Sequence, residues 1–292
     1  MHKPDVNMPH QRSEIFDRRL RRLRRDRAAP RFQAHGFLYR HMAEELLDRL
    51  KDVKREFKQV LLIGTPDQYL RRQLADAGMS VISTDPALAN CQGPYNVVLA
   101  DEDALPFADA SFDLVIACGT LDSVNDLPGA LILIRRILRP DGLFLGALFG
   151  AGTLSVLRSV LFAAEGERPA QHIHPQIEVR SAGDLLSRAG FAMPVADGDS
   201  LAVRYSGLFS LFADLRGMGA SNVLSSRPPS MGRQVMLRAA QAFEAAADPD
   251  GKTAEHFSII YLSGWAPHPD QPKAARRGSA KASLANALKS KI

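Results

Sequence analysis

From Gln59 onward, short apolar runs alternate with longer stretches in which apolar side chains recur at helical spacing. Short apolar runs predict strands, and a recurrence every three or four residues predicts helices. The predicted strands are Val60–Ile63, Val81–Ser83, Val97–Ala100, Phe112–Ala117 and Leu143–Leu148, with helices near Gln68–Ala77 and at Leu127–Leu138. This alternation predicts an α/β domain with a doubly wound, mostly parallel sheet.

The pattern continues beyond the fifth strand with a helix at Ser181–Phe191, for which Ser181 is the predicted N-cap and Gly190 the end. Two further strands are predicted around Ala192–Ala196 and Ser258–Leu262. Residues 207–247 between them are mostly helical and too long for a connector, so we interpret them as a substrate-facing insertion. The expected organisation is a basic helical extension at 1–40, the α/β domain at 41–266 and a mobile basic tail at 267–292.

Charge separates the two ends of the chain from its middle. Residues 1–40 carry eleven Lys/Arg and four Asp/Glu, and residues 267–292 carry six and one, although the whole chain has a net charge of only +5. The middle is therefore acidic. This asymmetry raises the question of what the basic N-terminus binds.

Within that N-terminus, the segment Glu14–Phe32 carries apolar residues at helical spacing, and arginines fill most other positions. Three interpretations stay open. The helix could lie on an acidic partner or membrane surface, it could be an organelle targeting segment, or it could dock on its own domain. The segment contains three acidic residues, Glu14, Asp17 and Asp26, which is too many for a targeting segment. We expect no nucleic-acid binding, because no basic module interleaved with aromatic residues follows.

Other features narrow the class of protein. No apolar run is long enough for a transmembrane helix, and the charged N-terminus is not a secretory signal. Cys91 and Cys118 are expected to be buried free thiols in a reducing compartment. The expected location is the bacterial cytoplasm, with peripheral contact to the inner membrane through the basic N-terminus as an open alternative.

Candidate cofactor residues follow the first three strands, where ligands of doubly wound sheets bind. Gly64 allows a cofactor to approach the backbone, Asp85 suits ribose hydroxyls, and Asp101 and Glu102 follow the third strand on the adenine side. The alternatives are a helix cap for Asp85 and a solvated acidic turn for Asp101 and Glu102. The turn after Gly64 departs from the usual pattern, because Pro66 and Gln68 occupy the later glycine positions.

Candidate substrate residues lie in two later segments. In QHIHPQIE, the side chains of His172, His174 and Glu178 could form an iron site, but histidines two positions apart point to opposite sides of a strand. We therefore expect no metal, and we assign His172 to the substrate pocket with nearby Arg168. In the second segment, Tyr205–Asn222, the polar residues predicted to line a substrate entrance are Tyr205, Asp214, Arg216 and Asn222. The alternative there is a core helix that ends at glycine.

The stretch Ala100–Leu148 resembles the second half of a class I methyltransferase domain (Rossmann-like), which depends on S-adenosylmethionine (SAM). It shares this pattern with the malonyl-carrier-protein methyltransferases. Several further segments resemble the complex I assembly factor 5 family of mitochondria and alphaproteobacteria. The matching segments are IFDR at Ile15–Arg18, ADEDALPF at Ala100–Phe107, SFDLVIA at Ser111–Ala117, VNDLPGAL at Val124–Leu131, RPDGLFLGALFG at Arg139–Gly150, DLRGMGASN at Asp214–Asn222 and RRGSA at Arg276–Ala280.

This resemblance implies a role in maturation or assembly of the respiratory NADH:quinone oxidoreductase, in which the chain modifies or chaperones a protein subunit. Mitochondrial relatives are described as hydroxylating an arginine. The resemblance assigns Asp85, Asp101 and Glu102 to SAM and matches His172, but not His174, to a family histidine. Departures lie at the glycine turn, at Ser123 where a tryptophan is usual and at Gly152 where an aspartate is usual.

Two alternatives to this function remain open. One is a SAM-dependent methyltransferase of a small molecule or of a carrier-bound acyl substrate. The other is a non-catalytic assembly chaperone with a degenerate SAM site.

Overall fold

A single seven-stranded sheet organises the computed structural model, which describes residues 14–64, 66–92, 96–166 and 169–268, and Asp270. The strands lie in the order β3-β2-β1-β4-β5-β7-β6, and only β7 runs antiparallel to its neighbours. The predicted doubly wound, mostly parallel sheet is therefore confirmed. The strands are β1 (Gln59–Ile63), β2 (Ser80–Asp85), β3 (Val97–Leu99), β4 (Phe112–Cys118), β5 (Leu138–Phe149), β6 (Ala192–Tyr205) and β7 (Thr253–Trp265).

Helices cover both faces of this sheet. They are α1 (Arg18–Ala28), α2 (Phe32–His35), α3 (Phe37–Lys51), α4 (Tyr69–Asp76), α5 (Leu127–Ile137), α6 (Ser155–Glu165), α7 (Val179–Ala189), α8 (Leu208–Gly217) and α9 (Arg233–Ala245). Helix α3 runs through residue 40, so the boundary that charge alone suggested falls inside a helix. Helices α8 and α9 lie within 207–247. The RRGSA segment at Arg276–Ala280 lies outside the described residues.

The core has one layer on each side of the sheet, because successive side chains of a strand point to opposite faces. In β1, Val60 and Leu62 pack with α3, α4 and the helices α6, α8 and α9. Leu61 and Ile63 pack on the other face with α5 and α7. All four side chains are at most 1% exposed. This burial on both faces fixes β1, and with it the loops at its carboxyl end.

The predicted N-cap of α7 is wrong. The helix begins at Val179, and the preceding residue, Glu178, has extended backbone angles, so Ser181 lies inside the first turn. Ile177 forms a bridge to Gly150, which keeps the chain extended up to this point. The predicted end is confirmed, since Gly190 adopts φ of 86° in the left-handed region that glycine tolerates.

None of the helices in the described part of the chain is long and apolar enough to cross a membrane.

Candidate functional site

The carboxyl ends of β1, β2 and β3 form one edge of the sheet, which we call the cofactor edge. Gly64 follows β1, Asp85 ends β2, and Asp101 and Glu102 follow β3. The structure therefore brings the four predicted cofactor residues to one edge. It also covers this edge with a helix, which the sequence reasoning left as one of three alternatives.

That helix is α1, which docks on its own domain. Its N-cap is Asp17, whose side chain accepts a hydrogen bond of 2.9 Å from the backbone N–H of Leu20. Residues three, four and seven positions apart share one face of a helix. Arginines occupy such a face in α1, and each of them binds a carboxylate of the cofactor edge. They are Arg18, Arg21, Arg22 and Arg25.

Arg25 holds Asp85, the predicted ribose ligand. Arg25 Nη2 donates to Asp85 Oδ2 at 2.5 Å, and the two side chains are only 7% and 2% exposed. Asp85 Oδ1 accepts a further hydrogen bond of 2.8 Å from the N–H of Ala87. Burial alone would lower the pKa of Arg25, but the charge of Asp85 raises it on balance. Arg25 is therefore charged at neutral pH.

Arg21 holds Glu102 in the same way. Its two terminal nitrogens each donate to a Glu102 oxygen at 2.8 Å, which is a bidentate geometry. Arg21 also donates to Thr120 Oγ1 at 2.8 Å and to Ser123 Oγ at 3.0 Å. Burial alone would raise the pKa of Glu102, yet Arg21 lowers it on balance. Glu102 is 2% exposed, so a solvated acidic turn is wrong for this residue.

The outer part of α1 completes the set of ion pairs. Arg22 pairs with Asp101. Arg18 donates to both oxygens of Asp103 at 2.6 and 2.7 Å. The side chains of Arg18 and Arg22 are 34% and 49% exposed, whereas those of Arg21 and Arg25 are each 7% exposed. The loss of one partner is costly in a buried ion pair and cheap in an exposed one, so substitutions at Arg21 and Arg25 should disturb α1 most.

The space beside the glycine turn after β1 is also occupied, by the side chain of Thr120. Gly64 has φ of 71°, and a Cβ at this position would lie 2.4 Å from Cβ of Thr120. The absence of a side chain at Gly64 therefore makes room for a neighbouring threonine. Thr120 is fully buried and also donates to Glu102. As arranged, the residues of the cofactor edge do not fit SAM, because buried guanidinium groups and Thr120 fill the contacts that it would need.

A cavity of about 360 Å³ lies beyond α1, and part of its lining comes from α1, α6 and α8. Its apolar wall includes Phe149, Leu157, Phe212, Met231 and Met236. Its polar lining consists of Arg21, Arg24, Arg25, Tyr39, Asp122, Ser123, Thr153, His172, His174, Gln176, Arg216, Ser221 and Asn222. A partly enclosed cavity with an apolar wall and converging polar side chains is a candidate ligand site.

Asp122 lines the cavity and was not indicated by the sequence. It lies in a short 3-10 helix after β4, and its Oδ1 is buried with no hydrogen-bond partner among the described residues. Burial raises its pKa to about 6, against the opposing charges of Arg21 and Arg25. A buried carboxylate oxygen without a partner is costly, which marks Asp122 as a functional candidate.

The predicted substrate residues separate into two groups. His172, Arg216 and Asn222 line the cavity, whereas Tyr205 and Asp214 do not. Tyr205 is buried at the end of β6. Asp214 Oδ1 lies 2.7 Å from His35 Nδ1, so it joins α8 to α2 instead of facing the cavity.

The two histidines of QHIHPQIE both line the cavity, with different partners. His172 Nε2 lies 2.6 Å from Glu165 Oε1. Burial alone would raise the pKa of Glu165, but hydrogen bonds from Ala170 and His172 lower it on balance. His174 Nε2 accepts a hydrogen bond of 2.9 Å from the N–H of Val223, and burial lowers its pKa to about 4. His174 is therefore a neutral acceptor at physiological pH.

No group of three or more metal-ligating side chains occurs in the described ranges. Arg168, which was predicted beside His172, lies outside them.

Comparison with known proteins agrees with this fold. Residues 61–146 match the family model described as methyltransferase domain. Among solved structures, the YcgJ protein of Bacillus subtilis has a TM-score of 0.51 at 18% identity, and the alignment covers 78% of this chain and 99% of that one. The chain is therefore a class I methyltransferase-fold protein.

The relatives narrow the class further. Mitochondrial arginine-hydroxylase NDUFAF5 of Homo sapiens is 39% identical over 283 residues, which are 92% of this chain and 82% of the relative. Malonyl-(acyl-carrier protein) O-methyltransferase of Halorhodospira halophila is 31% identical over 266 residues, which are 87% of this chain and 89% of the relative. The chain belongs to the NDUFAF5 family, and the resemblance to complex I assembly factor 5 is confirmed.

Proposed function

We propose that this protein acts in the maturation of respiratory complex I by modifying an arginine side chain of a protein subunit. Relatives that are called arginine-hydroxylases align with nearly the whole chain. The structural observation that carries the proposal is the environment of Asp122. Asp122 lines the cavity, and its Oδ1 is buried with no hydrogen-bond partner among the described residues.

A guanidinium group matches this arrangement. It is planar, permanently charged and donates several hydrogen bonds, which a carboxylate accepts. The guanidinium groups of Arg21 and Arg25 do not compete for Asp122, because they are bound to Glu102 and Asp85. The apolar wall of the cavity suits the methylene chain of an incoming arginine.

Two arginines of the cavity lining favour a particular kind of residue beside the target arginine. Arg24 and Arg216 line the cavity, and neither has a carboxylate partner among the described residues. Their positive charges would attract an acidic residue of the target protein. We therefore propose a target arginine that has an acidic neighbour.

The occupied cofactor edge favours a second candidate function, the non-catalytic assembly chaperone. Such a protein would bind the subunit in the same cavity but leave it unmodified. A SAM-dependent methyltransferase of a carrier-bound acyl substrate has less support, because it would need SAM at an edge that α1 fills. SAM binding requires Arg21 and Arg25 to leave Glu102 and Asp85.

Deletion of the gene in the organism of origin tests the proposed function. We expect membranes of the deletion strain to lose most of their NADH:quinone oxidoreductase activity, because an unmatured subunit would not assemble. Succinate oxidation by the same membranes is the control and should stay unchanged. Expression of the wild-type chain should restore the lost activity. Unchanged complex I activity in the deletion strain would overturn the proposal.

A further inference from the structure

We propose that helix α1 is the resident occupant of the cofactor edge. In this chain the guanidinium groups of Arg21 and Arg25 permanently replace a nucleoside cofactor, and the domain folds and works without SAM at that edge. This inference goes beyond the proposed function, because it concerns the cofactor edge whichever substrate enters the cavity.

The chemistry of the edge supports a permanent occupant. Asp85 and Glu102 are 1% and 2% exposed, and each accepts charge-assisted hydrogen bonds from α1. A cofactor ribose would offer neutral hydroxyl groups to such a carboxylate, whereas arginine offers a full positive charge. Arginine therefore adds an ionic attraction to its hydrogen bonds, and a neutral ribose hydroxyl would have to displace this stronger partner.

The two residues before α1, Phe16 and Asp17, hold the start of the helix in place. Phe16 is 4% exposed and packs on Val223 and Leu224. Its backbone exchanges two hydrogen bonds with the side-chain amide of Asn125, at 2.8 and 3.0 Å. The next N–H, of Asp17, donates to the carbonyl of Val223 at 2.8 Å. A segment held in this way by two distant parts of the chain belongs to the folded domain.

The far end of α1 is fastened too. Asp26 accepts a hydrogen bond of 2.8 Å from the N–H of Ala89, in the loop that follows β2. Ala28 is 3% exposed, and the chain continues directly to the buried Phe32. Helix α1 is therefore anchored before, along and after its arginine face.

The turn after β1 supplies an observation that does not depend on α1. Gly64 is packed against Thr120, and position 66 is a proline, which has no N–H to offer a ligand. Gln68 follows where a third small residue would allow close approach. The turn would therefore not cradle the amino-acid end of SAM even if α1 were moved.

Calorimetric titration of the purified full chain with SAM, and separately with S-adenosylhomocysteine, tests this inference. We expect no binding at millimolar ligand and no rise in Tm. We also expect Asp85→Asn to lower Tm with no ligand present, because Asp85 is a partner of Arg25. Micromolar SAM binding by the wild-type chain would overturn the inference. The wild-type titration decides even if the variant folds poorly, and complex I activity in the deletion strain tests the proposed function separately.

Discussion

Replacing Arg25 by methionine is expected to lower the free energy of unfolding by about 3–5 kcal/mol. The substitution keeps the length and apolar character of the side chain but leaves Asp85 without its main partner. Asp85 is 1% exposed, so its carboxyl group would be left unpaired in a site from which water is largely excluded. Urea unfolding checks this value. The fluorescence of Trp265, the one tryptophan of the chain, provides the signal at the end of β7.

A double-mutant cycle separates the ion pair from general damage. Asp85→Asn should destabilise the protein as well, and the double variant should lose clearly less than the sum of the two single losses. The coupling should reach at least about 1 kcal/mol, within the range for contacting residues. The matched control is the exposed pair of Lys51 and Asp48, where Lys51→Met should leave the free energy of unfolding nearly unchanged. Additive losses at Arg25 and Asp85 would show that the pair does not hold α1.

The second large effect is expected at Asp122, where asparagine should abolish function while it stabilises the fold. The pKa of Asp122 is about 6 in the folded chain, compared with an ordinary value of 3.8. The folded state thus keeps a proton that the unfolded state releases, so stability falls as pH rises from about 4 to about 6. Above that range the penalty is constant. Because the side chain borders the cavity, we expect Asp122→Asn to add about 1–2 kcal/mol at pH 7 and little at pH 4.

Complementation of the deletion strain measures the functional part of this prediction. Asp122→Asn should fail to restore NADH:quinone oxidoreductase activity, because the neutral amide no longer pairs with a guanidinium group. Asp48→Asn, on the exposed face of α3, is the matched control and should restore activity fully. Full activity of Asp122→Asn would remove the arginine-binding role and leave the chaperone as the better account.

The fold could be predicted because its signals are local. Apolar runs such as Val60–Ile63 and Phe112–Ala117 become strands since they are buried on both faces, and their spacing requires parallel connections. The edge at which Gly64, Asp85 and Glu102 meet follows from the same topology. Each of these features depends on short stretches of sequence.

The ion pairs that occupy the cofactor edge could not be predicted in this way. The spacing of Arg18, Arg21, Arg22 and Arg25 is visible in the sequence as one helical face, but their partners lie some 60 to 85 positions further along the chain. Nothing local indicates which carboxylates they reach. In the sequence, Asp122 is indistinguishable from an ordinary acidic residue in a turn. Its burial depends on packing against distant helices. Tyr205 and Asp214 were placed at a substrate entrance for their chemistry, yet neither lines the cavity.

The most direct test of the central claim is mass spectrometry of complex I subunits from the wild-type strain, the deletion strain and the strain complemented with Asp122→Asn. We predict that one arginine-containing peptide is modified in the wild type and unmodified in the other two, and that an acidic residue lies beside that arginine. Identical arginine peptides in all three strains would contradict the claim that this protein modifies an arginine.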